Sequence, residues 1–138
     1  SNDKTKTFYH GHSFTANPLA CTASLASLKL LKKKRCIKNI NKIILRHKQF
    51  LSRLEKSTLL ARVKNLRQSG TVIAFEIITT TKDNYLNSIS NSFTAFCLKR
   101  GVYLRSLGNT IYVMPPYSIT KKQLNKVYGV IEKFLEGM

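Results

Sequence analysis

The chain has 138 residues, enough for one ordinary domain, and 43% of them are hydrophobic, enough for a real core. No stretch approaches the roughly 20 uninterrupted apolar residues that a membrane helix needs, so a cytoplasmic protein is expected. Cys21, Cys36 and Cys97 are odd in number, widely spaced and without histidines at ligand offsets, which argues against a disulfide framework or a zinc site and for reduced thiols. The formal net charge of +18 makes nucleic acid an obvious partner, yet the cations cluster in one predicted helical region, interleaved with Leu, Ile and Phe. That is the pattern of a solvated helix face. The basic run has few aromatics for bases to stack on and no zinc-finger or Gly-Phe-rich RNA-binding signature, so nucleic-acid binding is not expected.

In chain order, the first informative segment is Phe8-Tyr9-His10-Gly11-His12-Ser13-Phe14-Thr15-Ala16-Asn17-Pro18-Leu19-Ala20-Cys21. Here a glycine and a hydroxyl precede a helix. Gly11 permits close approach to a ligand, Ser13 is a neutral donor, and Asn17-Pro18 reads as an N-cap followed by proline at the first helical position. The small-residue-rich helix that follows, 17 to about 34, is expected to be buried early and wet later. From about 36 to 54, Ile37, Ile40, Ile44, Leu45, Phe50, Leu51 and Leu54 recur at three- and four-residue steps, which predicts an amphipathic helix with lysines outside.

The period then changes. Residues 71–78 are β-branched and aromatic and predict a buried strand, and polar residues 79–84 end it. A third helix is expected from about 85 to 99, carrying Leu86, Ile89, Phe93, Phe96 and Cys97 and stopped by Gly101. Strands at 102–105 and 110–114 flank the turn Leu107-Gly108-Asn109 and are ended by Pro115-Pro116, which predicts a hairpin. Thr120 with Gln123 three residues on forms a capping box for a last helix, with Leu124, Val127, Tyr128, Ile131, Phe134 and Leu135 on one face. The expected order is helix, helix, strand, helix, strand, strand, helix, an α/β (α+β) arrangement.

Two motifs carry a resemblance. The run His-Gly-His-Ser-Phe-Thr-Ala-Asn-Pro-Leu-Ala-Cys at 10–21 and the run 101–117, with Gly-Val-Tyr-Leu-Arg and Asn-Thr-Ile-Tyr-Val-Met-Pro-Pro-Tyr, resemble the C-terminal part of class III pyridoxal-phosphate aminotransferases. Within that class the wording is most similar to the biotin-pathway branch that aminates 8-amino-7-oxononanoate. The resemblance implies the small C-terminal domain of a fold-type I pyridoxal-phosphate-dependent transferase. Residues 1–16 would then be a lead-in from a large domain, and 17–138 the small domain.

The resemblance also implies roles. Arg105 would clamp the substrate carboxylate with its planar, permanently charged fork, Gly11 and Tyr112 would line the substrate pocket, and Ser13 would donate to the cofactor phosphate of the partner subunit. Pyridoxal 5'-phosphate is the implied cofactor, S-adenosylmethionine the amino donor, and a homodimer the assembly. The Schiff-base lysine of the class lies upstream of the His-Gly-His segment, so the chain is expected to contain no catalytic residue and to be inactive alone. His10, His12 and His47 receive no catalytic role, because no carboxylates accompany them at useful spacing. Ser106 stands where the class usually has proline, which predicts a looser turn beside Arg105. Two alternatives stay open: another class III aminotransferase, or a stand-alone basic module binding nucleic acid or anions.

Overall fold

The computed structural model describes residues 3–6, 11, 13, 15–79 and 89–138. Phe8, Tyr9, His10, His12 and Phe14 of the first motif, Leu86, and most of the predicted turn after the first strand lie outside the described residues. The chain divides into two compact units, Ser1–Lys34 and Arg35–Met138.

In the first unit, helix α1 (Pro18–Leu31) starts as its sequence predicts. Asn17 Oδ1 accepts the Ala20 amide at 3.1 Å, and Pro18 occupies the first turn, where its missing N–H leaves no gap. The expected early burial of this helix does not hold: every α1 side chain is exposed, Leu19 to 82%. Leu25, Leu28, Leu30 and Leu31 join it as exposed apolar surface.

The second unit is three helices on one face of a four-stranded antiparallel sheet. Helix α2 (Lys34–Glu55) leads through a 3-10 turn at Thr58–Arg62 into β1 (Val63–Ser69) and β2 (Val72–Ile77), and α3 (Ile89–Lys99) precedes the short pair β3 (Ser106–Leu107) and β4 (Thr110–Val113). Helix α4 (Lys121–Glu136) closes the chain, and the strand order is β1-β2-β4-β3. The pairs Ile73↔Val113 and Phe75↔Ile111 put four apolar residues side by side on the helix-covered face. Ile77 extends that row, and Phe50, Leu54, Phe93, Leu124, Ile131 and Leu135 descend on it from the helices.

Two endings show local sequence acting directly. At the end of α3, Val102 N–H reaches Cys97 O at 3.0 Å and Gly101 N–H reaches Leu98 O at 2.9 Å, with Gly101 at φ +68°. This paired closure needs a left-handed residue, which glycine adopts without a Cβ penalty. At the start of α4, Thr120 Oγ1 accepts Gln123 N–H while Gln123 Oε1 accepts Thr120 N–H, the predicted capping box.

The structure departs from the predicted order in two places. Strand β1 is additional: only Val63 in it is buried, and a bulge between Lys64 and Arg67, with Asn65 at φ +54°, breaks its alternation. Residues 102–105 form an extended link, and the strand that pairs with β4 is Ser106–Leu107.

Within the core lies a polar chain that the sequence does not announce. His47 is fully buried, with Nε2 3.0 Å from Thr71 O and Nδ1 2.7 Å from the Tyr128 hydroxyl. A carbonyl only accepts, so Nε2 carries the proton and Nδ1 accepts from Tyr128. Burial pushes the His47 pKa below its ordinary 6.5, partly opposed by the Thr71 bond, and burial pushes the Tyr128 phenol upward. The unfolded chain, with His47 near 6.5, therefore binds more protons than the folded chain as pH falls below that value. Stability from this site is complete above about pH 6.5 and is lost as pH falls through the depressed folded pKa. Urea midpoints measured from pH 8 to pH 5 should decline on the acid side, and His47→Gln should flatten that decline.

Candidate functional site

The C-terminal motif builds a small cavity of mixed lining, with Ala95 and Leu98 on its apolar side. From the glycine-closed end of α3 the chain runs extended through Tyr103 and Arg105 into β3, so these two side chains reach the surface where α3 and β3 meet. Tyr103, Arg105 and Ser106 line a cavity of about 420 Å³ together with Ser90, Asn91 and Thr94 of α3. Arg105 is exposed and has no hydrogen bond or ion pair to any other described residue. A permanently charged, planar fork at the mouth of a cavity is equipped to take a carboxylate through two parallel hydrogen bonds.

Ser106, expected to loosen the turn, is held. Its hydroxyl donates to Ser90 Oγ at 3.0 Å, and the Ser90 hydroxyl lies 3.3 Å from Ser106 O. The first turn of α3 thus grips the residue that follows Arg105. A second clip lies on the other side of the hairpin, where Asn109 Nδ2 donates to Ile77 O at 3.0 Å and Ile77 N–H donates to Asn109 O at 2.9 Å. Gly108, at φ +60°, makes the tight turn between β3 and β4. The short hairpin is therefore fastened to α3 at one end and to β2 at the other.

The other predicted site residues fall elsewhere. Tyr112 is half-buried on β4, paired with Ala74, and alternation puts it on the sheet face opposite Ile111 and Val113. It is not among the residues lining the Arg105 cavity. Gly11 and Ser13 belong to the first unit and are exposed. A Cβ at Gly11 would meet nothing within 4 Å among the described residues. The Ser13 hydroxyl has no partner among the described residues, and its chemistry fits one neutral donor to a phosphate oxygen.

Cys21 is exposed, Cys36 half-buried and Cys97 buried, all as free thiols. Burial raises the Cys97 pKa to about 11, with Arg100 opposing. Among the described residues no group of three His, Cys, Asp or Glu is placed to hold a metal ion, and no helix is long and apolar enough to cross a membrane. Sequence reasoning missed Ser90, Asn109 and the His47–Tyr128 pair. Of these, only Asn109 lies in the turn and in the second resemblance motif, and neither signal announces its side-chain bond to Ile77.

The pattern of the aminotransferase class-III family matches residues 2–135. The chain belongs to the class III aminotransferases. Among relatives of this class III chain, the adenosylmethionine-8-amino-7-oxononanoate aminotransferase of Synechococcus elongatus is 35% identical over 136 residues, covering 99% of this chain and 31% of that enzyme. The enzyme of the same name from Helicobacter pylori is 37% identical over 136 residues, covering 94% of this chain and 29% of its own. The crystal structure of the Methanocaldococcus jannaschii adenosylmethionine-8-amino-7-oxononanoate aminotransferase superposes with a TM-score of 0.73 at 29% identity, over 94% of this chain and 31% of that one. The class III chain thus spans about a third of the length of the relatives it matches. Its α/β unit is part of the pyridoxal-phosphate-dependent transferase fold that the resemblance predicted.

Proposed function

We propose that this chain supplies the carboxylate-recognising part of an aminotransferase that aminates 8-amino-7-oxononanoate, with S-adenosylmethionine as amino donor. The observation that carries the reading is Arg105: a guanidinium without an intramolecular partner among the described residues, at the mouth of a cavity, next to a hairpin fastened at both ends. The names of the relatives support the choice of substrate.

In this reading Arg105 binds the carboxylate of the keto substrate and so orients its carbonyl. Gly11 and Tyr112 contribute to the pocket wall, and Ser13 donates to a phosphate oxygen of the pyridoxal phosphate held by the partner subunit. That cofactor, when bound, supplies the electron sink for amino transfer. The covalently bound lysine lies in a large domain, with residues 1–16 as the lead-in from it and 17–138 as the small domain. The working enzyme is a cytoplasmic homodimer, and this chain alone is inactive.

The test compares the 138-residue chain with the intact protein, each incubated with pyridoxal phosphate, S-adenosylmethionine and 8-amino-7-oxononanoate. Amination is expected from the intact protein only, and borohydride should label the isolated chain at scattered surface lysines. A single stoichiometrically reduced lysine in the isolated chain, with amino transfer to match, would overturn the reading.

A further inference from the structure

We propose that the cavity between the first half of α2 and the start of α4 binds a small, multiply charged phosphate anion of the polyphosphate class. The cavity has a volume of about 570 Å³ and is lined by Arg35, Lys38, Lys42 and Arg46 of α2, with Lys121 of α4 and the Ser118 hydroxyl opposite. Steps of three, four and four residues put the α2 cations on one face, in a row roughly 16 Å long at the helical rise.

Arg46 acts on the Tyr128 phenol only through its field. Among the described residues none of the five cations makes an ion pair or a hydrogen bond, and no carboxylate lines the cavity. Glu132 and Glu76 of the same unit are engaged elsewhere, by Arg53 at 2.9 Å and Arg67 at 3.2 Å. The start of α4 adds to the excess. Its first turn holds Lys121 and Lys122 and no acidic residue, although the positive end of the helix dipole favours anions. Cations concentrated in a concave site without counter-charge raise the local potential, and a bound polyanion turns that mutual repulsion into attraction.

The lining chooses among anions. A row of four cations with a fifth facing it exceeds what one carboxylate can neutralise, whereas a phosphate chain presents several charged oxygens in line to arginine forks and lysine ammonium groups. No aromatic side chain lines the cavity, so nothing there stacks on a base, and its walls bound a small ligand.

The probe is inorganic tripolyphosphate, titrated by calorimetry at constant ionic strength into the intact protein saturated with pyridoxal phosphate, so that any site for that cofactor is already filled. One saturable site is expected. Lys38→Gln/Lys42→Gln should weaken it by about tenfold or more, as loss of charged hydrogen-bond donors requires, with any amino transfer unchanged. Lys48→Gln/Lys56→Gln removes two lysines outside this cavity and should change binding by less than about twofold. Equal effects of the two double variants, no saturable binding, or displacement by a single-stranded oligonucleotide with affinity rising with strand length would each overturn the assignment. The last result would give the cavity to nucleic acid. None of these readings depends on amino transfer, so the proposed substrate can fail without affecting the outcome.

Discussion

Arg105→Lys in the intact protein should lower kcat/KM for the keto substrate by about ten- to a hundredfold while leaving cofactor retention and thermal stability near their starting values. Lysine keeps the positive charge, so attraction of the carboxylate at a distance survives. It loses the planar fork that fixes two oxygens at once, and a mis-aimed carboxylate displaces the carbonyl at the other end of the substrate. Because the side chain is exposed and makes no contact that the fold needs, the variant should fold normally. Steady-state kinetics with each substrate varied separately checks this. An unchanged keto-substrate half-reaction would remove Arg105 from the substrate site.

The largest expected effect on stability is at Phe50. Its ring is fully buried and lies flat against Tyr128, with centroids 4.2 Å apart and planes 7° from parallel, so it joins α2 to α4. Phe50→Ala should cost about 3 to 5 kcal/mol, and Phe50→Leu, which refills much of the volume, distinctly less. The same cavity would admit water beside Tyr128 and relieve the desolvation that depresses His47. Urea unfolding gives the first quantity. An NMR titration gives the second, with the His47 pKa expected to climb back toward 6.5. A pKa that stays depressed in Phe50→Ala would show that Phe50 does not seal this pocket.

The parts of the fold legible in the sequence are those where short-range chemistry and burial agree. Thr120 with Gln123, Asn17 with Pro18, and Gly101 after α3 each announce a helix end by a local bond, and each makes it. Strand β2 is legible because its β-branched and aromatic run suits a buried pleated surface, and Ile73, Phe75 and Ile77 then enter the core at every second residue. Strand β1 hides because it lies at the sheet edge, contributes Val63 alone to the buried set and changes phase at the Asn65 bulge.

Helix α2 misleads in another way. It carries apolar residues on more than one face, so Ile37 and Leu45 satisfy a helical period yet remain exposed, whereas Ile43 and His47 are what the core takes. At the candidate site, Arg105 was legible through its motif. Ser90 was not, because a serine that matters through a partner 16 residues away has no local signature. The basic cavity was half legible: the cations are plain in the sequence, but their convergence with the start of α4 needs the fold.

The burial of Cys97 makes this thiol a clock. Its side chain is wholly enclosed and its pKa stands near 11, so at pH 8 only about a thousandth of it is thiolate, and that fraction is out of reach of a reagent in solution. Cys21, by contrast, is exposed on α1. Cys36 is half-buried, so an alkylating reagent meets thiols governed by different events: Cys21 and Cys36 by collision with a surface, Cys97 by how often α3 lifts from the sheet. Without any engineered label, the chain records the opening of the element that grips Ser106, the residue after Arg105.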